Sequence, residues 1–154
     1  MSKFSASIDV ELPVSTAYNQ WTQFEEFPQF MDGVEEVRQL DDTRLRWVAE
    51  IAGQRREWTA KIEEQVPDRV IAWRSEQGAT NAGRVSFEAL DEKRTRITLK
   101  MDFDPEGFVE QAGDTLGFVR RRVEGDLERF KKFIESRSVE TGAWRGQIQD
   151  GVER

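Results

Sequence analysis

The sequence predicts an α+β domain in which an antiparallel sheet packs against one long C-terminal helix. Three observations carry this. Apolar and polar residues alternate in seven separate stretches, as they do in half-buried strands. Turn chemistry (Asp41-Asp42-Thr43, Gly53, Pro67-Asp68, Asp91 to Lys93) separates the later strands at short intervals, which implies hairpins and antiparallel pairing. Leu116, Val119, Val123, Leu127, Phe130 and Ile134 recur at spacings of three and four, one apolar stripe on an α-helix. A helix from Asp114 to about Arg137 would be about 35 Å long. A stripe of that length needs a surface to cover it.

The first strand runs through Phe4, Ala6, Ile8, Val10 and Leu12, alternating with Ser5, Ser7, Asp9 and Glu11, and Pro13 ends it. Ser15 is placed to cap a short helix carrying Ala17, Tyr18 and Trp21. The aromatic run Phe24-Glu25-Glu26-Phe27-Pro28-Gln29-Phe30-Met31 holds a proline, which suits the first turn of a helix and not its middle. Two short helices, broken near residues 24–27 and ending at Gly33, are therefore expected between strands one and two.

Strands follow at Val34 to Leu40 and Leu45 to Ile51, then around Trp58, Ala60 and Ile62. Val70 to Ser75, Val85 to Ala89 and Ile97 to Phe103 complete the set. Residues 76–83, with Gly78 and Asn81, read as a loop, and Pro105-Glu106-Gly107 closes the sheet. Asp114 is the expected N-cap of the long helix, with Lys131, Lys132 and Arg137 near the end where its dipole favours cations. Arg120-Arg121-Arg122 lies among Glu124, Asp126 and Glu128 and reads as a solvated face. Periodicity is lost after Ser138. Residues 1–138 are thus read as one domain and 139–154 as a mobile polar tail, in which Trp144 could dock.

A chain of 154 residues can bury a core without covalent staples. It has no cysteine, so disulfides and thiolate chemistry are excluded. It has no histidine either, which removes histidine triads, histidine acid/base catalysis and imidazole-ligated zinc. A net charge of −7 argues against nucleic acid and anionic membrane as general partners. No apolar run approaches the roughly 20 residues of a membrane span. Met1-Ser2-Lys3 leads straight into a strand, and a cytoplasmic location is expected.

In this order the elements resemble those of the START-like or SRPBCC superfamily, and within it the bacterial polyketide cyclase/dehydrase-like proteins. The resemblance covers about Phe4 to Arg137. It rests on Leu12-Pro13-Val14 at the end of strand one, Trp21 before the aromatic run, and Val34-Glu35-Glu36-Val37. It rests also on Pro67-Asp68-Arg69-Val70-Ile71-Ala72-Trp73-Arg74-Ser75, on Gly83 before Val85-Ser86-Phe87, and on the closing helix. What it implies is a helix-grip (START/Bet v 1-like) fold, a curved seven-stranded antiparallel sheet wrapped around the C-terminal helix. Relatives of this kind commonly hold a lipid, polyketide, sterol or quinone between helix and sheet, and some are aromatase/cyclases or dehydratases. The family's catalytic residues have no one-to-one counterparts in this chain.

The residues in phase toward the helix are Trp47, Ala49, Trp58, Ile71, Trp73, Phe87, Leu99 and Met101, opposite Leu116, Val119 and Val123. They serve equally as an ordinary core or as the wall of an apolar cavity, where Ala49, Ala60, Ala89 and Gly83 leave room beside the tryptophans. Polar candidates in the same phase are Ser75 and Arg56, with Asn81 and Gln77 further along. An inward Arg56 could stabilise a developing oxyanion; otherwise it lies at the sheet edge or pairs with an acid such as Glu50. Phe27, Phe30 and Met31 are candidates for a lid, or for packing against the sheet edge. Glu25, Glu26, Asp32, Glu35 and Glu36 form an acidic patch without calcium-loop spacing, so no metal and no cofactor is expected. The leading expectation is a small hydrophobic ligand under the helix. A polyketide cyclase or dehydratase, and a protein-interaction or stress-associated module using the patch or tail, are the alternatives. Ligand identity and oligomeric state stay open at this level.

Overall fold

The computed structural model describes residues 2–51, 54–78, 80–103, 115–137 and 139–153. Strand β1 (Ser2–Val10) is followed by helix α1 (Val14–Trp21) and a 3-10 helix (Phe24–Gln29). A six-strand meander comes next: β2 (Val34–Gln39), β3 (Arg44–Ile51), β4 (Gln54–Val66), β5 (Val70–Gly78), β6 (Asn81–Asp91) and β7 (Arg94–Phe103). Helix α2 (Thr115–Arg137) follows, and the chain ends in the two-residue strands β8 (Ile148–Gln149) and β9 (Val152–Glu153). The spatial order is β1-β7-β6-β5-β4-β3-β2, antiparallel throughout, with β8 paired to β4 and β9. The seven expected strands are all present. The connection from β1 to β2, carrying α1 and the 3-10 helix, therefore crosses from one edge of the sheet to the other.

Alternation explains which face is buried. Val10, Leu45, Ala49, Ala60, Ile62, Val85, Ile97, Leu99 and Phe103 point inward and are buried. The outward positions carry cross-strand ion pairs such as Arg46–Glu57 (3.2 Å), Arg84–Glu64 (2.7 Å) and Arg96–Asp9 (2.9 Å). Exposed pairs of this kind each add less than about 1 kcal/mol. They mark the wet side. Register shifts interrupt β2, β6 and the β4–β5 pairing, two of them in that pairing. Such bulges bend strands, and they let the sheet curve around α2.

Helix α2 inserts Val119, Val123, Leu127, Phe130 and Ile134 into that concavity, all buried. Each such side chain stabilises the fold by roughly 1.5–3 kcal/mol relative to exposure. The expected N-cap Asp114 and the expected ligand-binding residue Leu116 lie outside the residues whose side chains are described. At α1, Pro13 and not Ser15 holds the N-cap position, and no side chain caps the helix. Pro28 sits inside the 3-10 helix. Just past it, Phe30 and Met31 both donate to the Phe27 carbonyl and close the end of the turn.

Residues 139–154 were expected to form a polar tail in which Trp144 could dock, and the structure describes 139–153 of them. Residues 139–153 run back over α1: Glu140 accepts from Asn19 Nδ2 at 2.8 Å, Thr141 N–H donates to Gln20 Oε1 at 2.9 Å, and Trp144 N–H donates to Thr22 Oγ1 at 3.1 Å. Arg145 bonds Asn19 Oδ1 at 2.6 Å and Asp68 Oδ2 at 2.8 Å. Ile148 is fully buried, paired with Gln65 where β4 extends beyond β3. Loss of periodicity signalled a segment held by single contacts. Among the described residues no helix is long and apolar enough to cross a membrane.

Candidate functional site

Sheet and helix do not close completely on each other. A cavity of about 140 Å³ lies between the inner face of β3 to β7 and the first half of α2. Period-two alternation brings Leu45, Trp47 and Ala49 to it from β3, Trp58 and Ile62 from β4, Ile71 and Trp73 from β5, and Leu99 and Met101 from β7. Val119, Val123 and Leu127 face them across the space. Trp21, Phe24, Phe27, Met31 and Val34 close the end nearest β2. Trp47 and Trp58 stack with centroids 5.6 Å apart at 9°, making one flat wall.

Gly83 gives Trp73 its place. A Cβ built on Gly83 would stand 2.2 Å from Trp73 Cζ2, so the indole lies across the glycine. Trp73 Nε1–H donates to Asn81 Oδ1 at 3.2 Å, and Asn81 is buried, with its own N–H held by Ser75 Oγ at 3.0 Å.

The polar end of the site is built by α2. Arg122 and Asp126 are three residues after Val119 and Val123, so helical spacing keeps them within the buried arc. Arg122 Nη1 donates to the carbonyls of Asp32 (2.9 Å) and Glu50 (3.3 Å). Asp126 Oδ1 accepts from Asp32 N–H at 3.0 Å and from Arg129, whose Nε holds the Phe30 carbonyl at 3.0 Å. The backbone from Phe30 to Gly33 is thus tied to the helix. Gly33 makes this possible: φ is +83°, and a Cβ there would meet Arg122 Nη1 at 2.2 Å. Burial pushes the Asp126 carboxyl from 3.8 up to about 6, against the opposing pull of Arg129 and the Asp32 N–H.

Nine of the residues named from the sequence as ligand-binding line the cavity: Trp47, Ala49, Trp58, Ile71, Trp73, Leu99, Met101, Val119 and Val123. Two do not. Phe87 is buried under α1 against Tyr18 (5.4 Å) and Trp21 (6.3 Å), and Ser75 serves the β5–β6 hairpin through Asn81. Arg56 does not line the space either; it is half-buried, and its Nη2 donates to Gln54 Oε1 at 2.8 Å. Of the lid candidates, Phe27 and Met31 line the cavity, while Phe30 packs behind them on Phe130 and Phe133, both at 5.2 Å. By charge alone Arg122 and Asp126 belong to a solvated helix face, yet both line the cavity. Their spacing from Val119 and Val123 was the signal that could have found them.

This geometry has counterparts. Residues 10–132 match the family model described as polyketide cyclase/dehydrase and lipid transport. The chain belongs to that family. An uncharacterised 17.2 kDa protein of Streptomyces lincolnensis is 54% identical over 149 residues, covering 96% of this chain and 99% of that one. Among solved structures, a START superfamily protein of Mycobacterium smegmatis superposes with a TM-score of 0.76 at 17% identity, over 87% of this chain and 97% of that one. The Zhui aromatase/cyclase of a Streptomyces species superposes with a TM-score of 0.75 at 20% identity, over 93% and 99%. These likenesses show that this polyketide cyclase/dehydrase family member has the START-type helix-grip fold.

Proposed function

We propose that the protein binds a small, flat hydrophobic molecule between the sheet and α2. The observation that carries the reading is the cavity walled by Trp47, Trp58 and Trp73, with Ala49 and Gly83 leaving space beside the indoles. Its size narrows the ligand class. Drug-sized ligands fill pockets of about 300–1,000 Å³, whereas an engineered apolar cavity of about 150 Å³ takes benzene. A space of about 140 Å³ therefore suits a ring-sized molecule, or one ring of a larger one, rather than a whole lipid or sterol. Native mass spectrometry after incubation with mixtures of small aromatic compounds tests this. Retention of ring-sized species is expected; retention of none would refute it.

A second reading, cyclisation or dehydration of a carbonyl compound, is favoured by one feature. Asp126 keeps its proton up to a pH of about 6 at the cavity wall, near Arg122. A protonated carboxyl there can donate to a carbonyl or a departing hydroxyl, with the guanidinium close by to favour negative charge. The arginine in this reading is Arg122 and not Arg56. The test is whether a bound hydroxyketone loses one water in the presence of the protein, and whether Asp126→Asn stops the loss.

A further inference from the structure

The walls of the cavity are held in different ways. Interstrand ladders fix the sheet, and a buried apolar stripe fixes α2. The turn from Phe30 to Gly33 is tied to α2 by Arg122, Asp126 and Arg129. Trp21 comes to the cavity from α1, and α1 has little of its own to secure it. It is eight residues long and has no side-chain cap at its N-terminus, whereas isolated helices shorter than roughly 12–15 residues are marginal in water. Gln20 and Thr22 flank Trp21, and with Asn19 they are buried although polar. Among the described residues, every side-chain partner of Asn19 and Gln20 lies in the C-terminal segment. Asn19 meets Glu140 and Arg145, and Gln20 meets Thr141 twice, at 2.9 and 3.1 Å. Trp144 N–H adds its bond to Thr22 Oγ1.

The segment itself is lightly held. It pairs with no strand before Ile148, and its bonds to α1 all run through single side chains. At its far end Glu153 meets the like-charged Asp42. Ile148, buried and paired with Gln65, and Gly151 N–H on the Glu63 carbonyl (2.9 Å) fix it to the sheet. We propose that residues 139–153 form a strap that gates the cavity. Docked, the strap keeps α1 and Trp21 closed over the end of the space; released, it lets α1 lean outward and a ring-sized ligand pass. The inference rests on the ligand-binding reading above and adds the route of entry. No strap residue lines the cavity. Its release therefore changes how fast a ligand passes and not how tightly the closed cavity holds it.

The experiment uses fluorobenzene, a single neutral ring, and measures its association and dissociation rates by 19F exchange between free and bound signals. The full-length parent is compared with Arg145→Met, which removes the bonds to Asn19 and Asp68, and with Thr141→Val, which removes one hydroxyl acceptor from Gln20. Lys132→Met, on the exposed face of α2, is the control and should match the parent. In Arg145→Met both rates are expected to rise about tenfold, the factor that loss of one or two hydrogen bonds supports, with Kd unchanged. Amide exchange at Thr141 and Trp144 should quicken in step. Should Arg145→Met lose its dispersed amide spectrum, Thr141→Val decides, with a smaller rise in both rates. A rise in dissociation alone, which weakens Kd, overturns the gate and makes the segment a static support. Rates equal to the parent's also overturn it, and in both cases the ligand-binding reading stands. A parent that shows no bound fluorobenzene overturns both.

Discussion

Asp126 Oδ1 accepts the main-chain N–H of Asp32 at 3.0 Å, so a side chain of the long helix holds the backbone at the turn into β2. This bond, with those of Arg122 and Arg129, makes the first half of α2 both the wall of the cavity and the clamp on its rim.

The buried Asp126 carboxyl makes stability depend on pH. Its folded value of about 6 lies above the ordinary 3.8, so the native state binds the proton more tightly than the unfolded chain. The stabilisation from this group is complete below 3.8 and is lost as pH rises through about 6. Asp126→Asn abolishes the titration and keeps an oxygen for the Asp32 N–H. The variant should exceed the parent at pH 8 by on the order of 1–3 kcal/mol, with the gap shrinking toward pH 5. Thermal unfolding at both pH values checks this, and a gap that widens on acidification would count against it.

Gly33 is expected to tolerate no side chain. Alanine there would be strained at φ +83° and would press on Arg122 Nη1 and the Glu50 carbonyl. A loss of about 1–3 kcal/mol from backbone strain, and more as the Arg122 bonds break, should appear in urea unfolding of Gly33→Ala.

Filling the cavity should separate binding from folding. Ala49 is 2% exposed and lies on the cavity wall, two residues along β3 from Trp47. Leucine at this position occupies free space, with a stability change within about 1–3 kcal/mol of the parent. Native mass spectrometry should then recover no ring-sized ligand from a folded protein. Undiminished binding by Ala49→Leu would place the ligand elsewhere.

Ile148 anchors the C-terminal segment. It is 0% exposed, so Ile148→Ala should destabilise by about 2–4 kcal/mol, the range for truncating a buried aliphatic side chain. A denaturation midpoint unchanged from the parent would mean that the segment contributes nothing to the fold.

The cavity wall was largely legible because it obeys the same rule as the core. Trp47, Ala49, Trp58, Ile71 and Trp73 follow from strand phase, which says that a side chain points inward. Phase does not say where along the sheet it points. Phe87 is as inward as Trp73, yet it lies under α1 and not under the cavity. Arg56 shares the phase of Trp58, yet its guanidinium goes to Gln54. Charge misled in the opposite direction at Arg122 and Asp126. Their main-chain partners, Asp32 and Glu50, lie 72 to 94 positions away, which no local pattern encodes.

By itself, then, the sequence determined the seven long strands, their antiparallel pairing, the helices and the apolar stripe of α2, because these follow from periodicity and turn chemistry over a few residues at a time. The tertiary structure alone decided three things: that helix and sheet leave a space of about 140 Å³, that Arg122 and Asp126 clamp its rim, and that the last residues dock beside α1 and β4. Each depends on how curved surfaces meet across long separations in the chain. Small mismatches in side-chain volume and single hydrogen bonds settle that meeting, and alternation carries no record of either.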